Sequence, residues 1–313
     1  MIRIGISTCL LGQKVRYDGG HKQDRYITDT LGKYFRFVPV CPELEVGMGV
    51  PREAVRLEGE SDHPSMVGVT SGKDWTGKMT RFSERRMARS DIADLSGYIL
   101  KKDSPSCGMT RVKVYNESGV AQRSGVGLFA AALLRHKPLL PVEEEGRLND
   151  PDIRENFLVR VFAYHRFQQF CSDRFSAAHL VDFHTRHKYL IMAHSVRHYK
   201  LLGQLVAEVK QHRPVAIRDQ YGKLLMEGLA IRSTVAKNVN VLQHIMGYLK
   251  KQLGGGEKKD ILEVIEDYHH HLVPLVVPIT LIRHYIRKYE IEYVANQIYL
   301  NPHPKELMLR NHV

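Results

Sequence analysis

Apolar and polar positions follow two different rhythms along this chain. In about the first 145 residues, short β-branched runs bounded by turn residues stand between longer amphipathic stretches. IRIGIS (Ile2–Ser7), FRFVPV (Phe35–Val40), GYILK (Gly97–Lys101) and KPLLPV (Lys137–Val142) read as strands. Helices are predicted around Asp24–Tyr34, around Thr80–Leu95 and over GVGLFAAALLRH (Gly125–His136). Strands alternating with helices predict a parallel sheet with helical crossovers, an α/β, Rossmann-like domain. Past EEEGRLNDP (Glu143–Pro151) the period becomes helical. In IRENFLVRVFAYHRFQQF, Phe157, Val161, Tyr164 and Gln168 share one stripe, and SAAHLVDFHTRHKYLIMAHS opens on a serine N-cap candidate, Ser176. Four more stretches follow: KLLGQLVAEVKQ, STVAKNVNVLQHIMGYLKKQL, KKDILEVIEDYHHHL and PITLIRHYIRKYEI. They predict an all-α domain of six or more helices, with Gly254–Gly256 as a helix stop and flexible turn. The expected division is 1–147 and 148–313.

Length and composition fit two soluble domains: 313 residues, 43% of them hydrophobic. No apolar run approaches the roughly 18 residues a membrane span needs. MIRIGISTCLLG reads as a strand, without a signal peptide's apolar core and cleavage site. A cytoplasmic protein without membrane partners is therefore expected. The formal net charge of +12 is unevenly spread. Residues 1–145 hold 22 Lys/Arg against 18 Asp/Glu, and residues 146–313 hold 24 against 16. The second half also carries 14 of the 17 histidines. A basic half points to an anionic partner, nucleic acid first.

The candidate chemistry lies in the first half. Of four cysteines, Cys9, Cys41 and Cys107 each follow a predicted strand, while Cys171 sits in an apolar helix where packing explains it. The carboxyl ends of parallel strands face one edge of a sheet, so three distant thiols are expected to converge there. Three thiols suit a [4Fe-4S] cluster with one iron free of cysteine, or a zinc site with an open position, or three unrelated buried side chains. Polar residues crowd the same loops: Glu43, Glu45 and Arg52 after Cys41, Asp103, Ser104 and Ser106 before Cys107, and Arg16, Tyr17 and Asp18 after Cys9. Glu43 and Ser104 are the favoured catalytic pair, each tied by a proline turn to a cysteine. Glu45 and Asp103 read equally well as solvated turn residues, and Arg16 and Asp18 as loop pins.

STCLLGQKVRYDGG, VPVCPELEVGMGVPREAVRL, ILKKDSPSCG and GVGLFAAALL, in that order, resemble the successive motifs of the TudS family of thiouracil desulfidases. The resemblance covers Met1 to about Glu145. FHTRHKYLIMAHSVRHYKLLG (Phe183–Gly203) resembles the YbgA-like helical domain. Chains fusing the two resemble the bacterial tRNA 4-thiouridine desulfidases (RudS). The resemblance implies a [4Fe-4S] cluster on Cys9, Cys41 and Cys107, with Glu43 and Ser104 catalytic. It implies an enzyme that takes sulfur from 4-thiouridine in tRNA, leaving uridine and hydrosulfide, with the substrate sulfur on the iron that lacks a cysteine. One departure is SGKDWTGKM, which stands where relatives tend to carry a GGTF-like element, in a loop expected to shape the pocket.

Sulfur removal by water needs no net redox change, and no G-x-G-x-x-G suggests a nicotinamide or flavin. Two alternatives remain: a desulfidase of free thiouracil or thionucleosides, and a non-catalytic iron–sulfur RNA-binding sensor. For the RNA, HTRHKYLIMAHSVRHYK offers Arg186, Lys188, Arg197 and Lys200 as phosphate contacts, with tyrosines interleaved for stacking. Its histidines, His184, His187, His194 and His198, recur at helical spacing and are expected on a polar face or at an interdomain contact.

Overall fold

A run such as IRIGIS is buried along nearly its whole length only when a sheet is covered on both faces. That is its place in the computed structural model, which describes residues 1–172 and 176–312. The chain divides into two compact units, Met1–Asp150 and Pro151–Val313.

The first unit has eight strands: β1 (Ile2–Ser7), β2 (Phe35–Val40), β3 (Val55–Glu58), β4 (Ser65–Gly68), β5 (Gly97–Leu100), β6 (Val112–Tyr115), β7 (Ala121–Gly125) and β8 (Val142–Glu144). One sheet has the order β2-β1-β5-β8 and is parallel throughout. Ile4 and Ile6 of its central strand are fully buried. Between them Gly5 lies under the Tyr98 ring, where a Cβ would come within 2.2 Å of Cδ2. The four helices are α1 (Pro42–Glu45), α2 (Thr76–Met87), α3 (Ser90–Ala93) and α4 (Leu128–His136).

A second, mixed sheet of order β4-β3-β6-β7 was not expected from the sequence. Its strands are short, and four of the five residues of β7 are exposed, so no clear alternation marks them. It closes its own core of Leu57, Met66, Val112 and Val114 with Trp75 and Met79. The SGKDWTGKM stretch supplies that tryptophan and methionine.

Four boundaries differ from the sequence pattern. KPLLPV is mostly a turn closed by the Leu140 N–H on the Lys137 carbonyl, and the strand begins at Val142 and runs into the glutamates. Asp24–Tyr34 is a π-helical turn over Tyr26–Thr30 followed by a 3-10 turn. The helix near Thr80–Leu95 breaks into α2 and α3, and α4 starts only at Leu128 because Gly125 ends β7.

The second unit is helical: α5 (Pro151–Ser172), α6 (Ala177–His194), α7 (Val196–Ala207), α8 (Pro214–Ala230), α9 (Val235–Leu249), α10 (Gly255–His269), α11 (Val276–Lys288) and the short α12 (Glu292–Ala295). Ser176 and Ser195 cap α6 and α7, each accepting a backbone N–H three residues on. Helix α8, with proline in its first turn, escaped the sequence pattern. The triple glycine is less a stop than a start, with Gly254 as the N-cap of α10 and its N–H held by the Glu257 carboxylate. Among the described residues no helix is long and apolar enough to cross a membrane.

The histidines of α6 are in the core, contrary to the polar face expected of them. His184, His187 and His194 are all buried. His187 Nδ1–H donates to the Phe183 carbonyl (2.7 Å), while its Nε2 accepts from Arg166 Nε (3.2 Å). His194 Nδ1–H donates to the Ile231 carbonyl (2.7 Å). His187, with one nitrogen donating and the other accepting, is thus wired as a neutral imidazole. Burial pushes His187 down to about 3 and His194 down to about 4. Groups held below their unfolded value of roughly 6.5 contribute stability that is complete above it and is lost as pH falls towards the folded value. Urea unfolding followed by the helical circular dichroism signal should be flat above pH 7. By pH 5 it should have lost about 2 kcal/mol for each of these two histidines. A stability unchanged down to pH 4.5 would contradict the wiring.

Candidate active site

Parallel pairing sets three strand ends side by side: Ser7 lies opposite Val40, and Ile6 opposite Ile99. The chain leaves β1 into a tight turn holding Cys9, leaves β2 at Cys41, and leaves β5 into the loop holding Cys107. All three cysteines line one cavity of about 370 Å³, together with Glu43, Ser104, Ser106, Arg16, Arg52, Lys101 and Lys102.

The Cys107 turn is the most constrained part. Ser104 Oγ accepts the N–H groups of Ser106 (3.3 Å) and Cys107 (3.1 Å). The carbonyl of Ser106 takes the N–H of Phe129 and that of Ala130, at the start of α4. Gly127 packs so closely here that a Cβ would lie 2.5 Å from the Ser106 carbonyl carbon. On the other side Glu144 Oε1 accepts the N–H of Met109 (2.7 Å), and Glu145 accepts that of Lys102 (2.8 Å) and pairs with the Lys101 ammonium. The EEE run, read as the mark of a domain change, is buried and holds this loop in place.

Glu43 stands across the cavity on α1. Its Oε2 is bound by Arg52, whose Nη1 also donates to the carbonyls of Val15 (3.0 Å) and Gly49 (2.9 Å). Its Oε1 accepts the Ser106 hydroxyl at 2.7 Å and the Ser104 hydroxyl at 3.4 Å. Ser106 and Ser104 are themselves 3.0 Å apart. Glu43 and Ser104 are therefore brought together, but with Ser106 closer to the carboxylate. Sequence reasoning placed Ser106 and Arg52 nearby without giving them these roles. The available signal was S-P-S-C, where both serines precede the thiol in one turn.

The loop residues divide clearly. Glu45 reaches back to the Cys41 N–H (3.3 Å), and Asp103 pairs with exposed Arg123 (2.9 Å). Arg16 pairs with Asp18 (3.4 Å). SGKDWTGKM does not line the cavity, so the expectation that it shapes the pocket is not met; Trp75 and Met79 are committed to the second sheet.

Two of the three thiols, Cys9 and Cys107, are buried and Cys41 is half-buried, which disfavours their charged forms. Burial pushes Cys9 up to about 11, Cys107 up to about 12, and raises Cys41. Thiolates become available here when a cationic group draws the protons off. Cys171 belongs to the helical unit, half-buried on α5.

The candidate phosphate contacts are more dispersed. Arg186 is exposed on α6, 3.8 Å from Asp182. Lys188 donates to the Tyr293 hydroxyl (2.6 Å), with its ammonium over the Tyr189 and Tyr293 rings. Arg197 and Lys200 are exposed on α7.

Residues 4–145 match the family model described as 2-thiouracil desulfurase. The chain is also 30% identical over 150 residues to the uncharacterized protein YbbK of Bacillus subtilis (strain 168), across 97% of that protein and 46% of this chain. Through its first half, the chain belongs to the 2-thiouracil desulfurase family. A solved structure titled as the [4Fe-4S]-dependent thiouracil desulfidase TudS is 32% identical over 95% of its length and 48% of this chain, with a TM-score of 0.39. Residues 188–304 match a family of unknown function, DUF1722. The uncharacterized protein YbgA of Escherichia coli (strain K12) is 27% identical over 94% of its length and 50% of this chain. The desulfurase-family match thus carries the thiol cavity, while of the three buried α6 histidines only His194 falls within the DUF1722 match.

The Glu43–Arg52 pair is nearly enclosed, with side chains 14% and 5% exposed. Removing one partner of such a pair strands a buried charge. Arg52→Ala should lower unfolding stability by about 3 kcal/mol, read from denaturant midpoints. Arg3→Ala, which breaks the exposed pair with Asp94, should cost less than about 1 kcal/mol. Equal losses in the two variants would refute the ranking.

Proposed function

We propose that this chain is a [4Fe-4S]-dependent desulfidase that removes sulfur from 4-thiouridine in tRNA, giving uridine and hydrosulfide. The observation that carries this reading is the convergence of Cys9, Cys41 and Cys107 on one cavity beside the Glu43–Ser106–Ser104 chain. These three thiols would hold the cluster. Bound there, it supplies a thiophilic Lewis acid at the iron without a cysteine, suited to a thiocarbonyl sulfur. The balance is one water consumed for one hydrosulfide and one proton released, with a carbonyl oxygen replacing sulfur.

The protein's own residues manage the protons. Arg52 anchors one oxygen of Glu43 and leaves the other towards the serines. That oxygen is the base that takes a proton from water, directly or through Ser106. The Ser104 oxygen is occupied by two backbone N–H groups, which directs its own proton into the cavity. Lys101 and Arg16 line the same wall and favour the anionic product.

The tRNA part of the proposal rests on the second half, with 24 Lys/Arg against 16 Asp/Glu and exposed Arg186, Arg197 and Lys200. A tRNA substrate also places the protein in the cytoplasm. The test is anaerobic reconstitution with iron and sulfide, followed by incubation with tRNA carrying 4-thiouridine. Loss of near-ultraviolet absorbance and uridine by mass spectrometry report turnover. Cys107→Ala should abolish turnover together with cluster content. Glu43→Gln should lower turnover about 10²–10⁴-fold with iron and sulfide retained. Free 2-thiouracil consumed in place of tRNA would move the substrate to a free base. Cluster-loaded protein that binds tRNA and leaves its sulfur in place would overturn the enzyme reading in favour of a sensor.

A further inference from the structure

Buried arginines are ordinarily paired with a carboxylate, because an uncompensated guanidinium is costly to desolvate. Arg166, half-buried on α5 with its Nη2 enclosed, departs from this rule. Its Nε donates to His187 Nε2 (3.2 Å) and its Nη1 to the Pro302 carbonyl (3.0 Å). Its buried Nη2 has no hydrogen-bond partner. No carboxylate pairs with it among the described residues; Asp182 is instead 3.8 Å from Arg186. Burial and the neighbouring Arg186 push the Arg166 guanidinium down to about 10. The two neutral acceptors thus position a cation without neutralising it.

Arg166 and Arg186 line a cavity of about 450 Å³ with Gln169, Phe170, Phe183 and His187; the Asp182 carboxylate, 3.8 Å from Arg186, and His179 complete the lining. Two cations converge there from α5 and α6. One wall is aromatic: the Phe170 and Phe183 rings lie 5.0 Å apart, and Phe183 stacks on His187 at 4.0 Å. An aromatic wall beside a guanidinium that no described carboxylate pairs suits a ligand with an anionic group and a flat ring.

We propose that this cavity is a nucleotide-phosphate site, in which the phosphoryl group lies between Arg166 and Arg186 and its base packs on the Phe170–Phe183 wall. Phosphate oxygens match the planar donor fork of arginine and supply the missing counter-charge. Bases of any identity stack on such a wall. The same chemistry is offered by a free mononucleotide and by an RNA strand. The site lies wholly within the helical unit and does not depend on the desulfidase reading.

The test is calorimetric titration of the whole chain with inorganic phosphate, uridine 5′-monophosphate and tRNA. Uridine monophosphate should bind more tightly than phosphate. Arg186→Ala, an exposed residue whose loss leaves the core intact, should weaken it at least about tenfold. Arg166→Gln should do the same, and Arg166→Lys should restore part of the affinity for phosphate. A parallel loss of tRNA affinity in Arg186→Ala would identify the ligand as an RNA strand. Unchanged tRNA affinity, or no tRNA binding at all, beside lost mononucleotide binding would identify a free nucleotide. Failure of the wild-type chain to bind either small anion at millimolar concentration, or unchanged binding by Arg186→Ala, would overturn the proposal.

Discussion

Parallel hydrogen bonding between β1 and its two neighbours is the constraint from which the first unit's chemistry follows. Residues Ser7 and Val40 are register partners, as are Ile6 and Ile99. Because all three strands run the same way, their carboxyl ends emerge together. Each end then delivers a cysteine within a few residues, although the cysteines are tens of positions apart in the chain. An antiparallel neighbour at either side would have sent one thiol to the opposite edge. Gly5 supports this register by letting the Tyr98 ring lie directly on β1.

A cavity with three thiols needs walls that hold without burying bare charge. The molecule meets this with backbone donors and paired ions. Ser104 and Glu144 absorb the free N–H groups of the Cys107 loop, while the Ser106 carbonyl caps the open end of α4. Arg52 neutralises Glu43 and ties it to the loops of Val15 and Gly49. Lys101 does the same for Glu145. The buried carboxylates thus shape the site, and only Glu43 faces the position where a reacting group would sit.

The helical unit follows a different rule. Its α6 histidines serve as neutral hydrogen-bond partners inside the core, which accounts for their helical spacing without any metal or RNA. Cationic character is left to exposed Arg186, Arg197 and Lys200, to Lys188 over its tyrosines, and to Arg166, which no carboxylate among the described residues pairs. One surface feature, Glu266 with His269 and His270, has metal-ligand spacing but is fully solvent-facing.

By itself the sequence determined the class of each half. Continuous β-branched runs before glycine and proline turns specified a parallel sheet, and 3.6-residue periodicity after Pro151 specified helices, because both signals are local. It also determined where the thiols fall, since a cysteine just past a strand is a local fact. Only the tertiary structure decided what depends on contacts between distant segments. The second sheet is built from strands too short and too polar to show alternation. The glutamates after Val142 read as the mark of a domain change, yet they are interior because loop N–H groups from Lys102 and Met109 reach them. Ser106 came ahead of Ser104 at Glu43 because side-chain direction within one turn is set by α4 packing beneath it. The α6 histidines turned inward because Arg166 and the carbonyls of Phe183 and Ile231 satisfy them, and no spacing rule distinguishes a satisfied core imidazole from an exposed one.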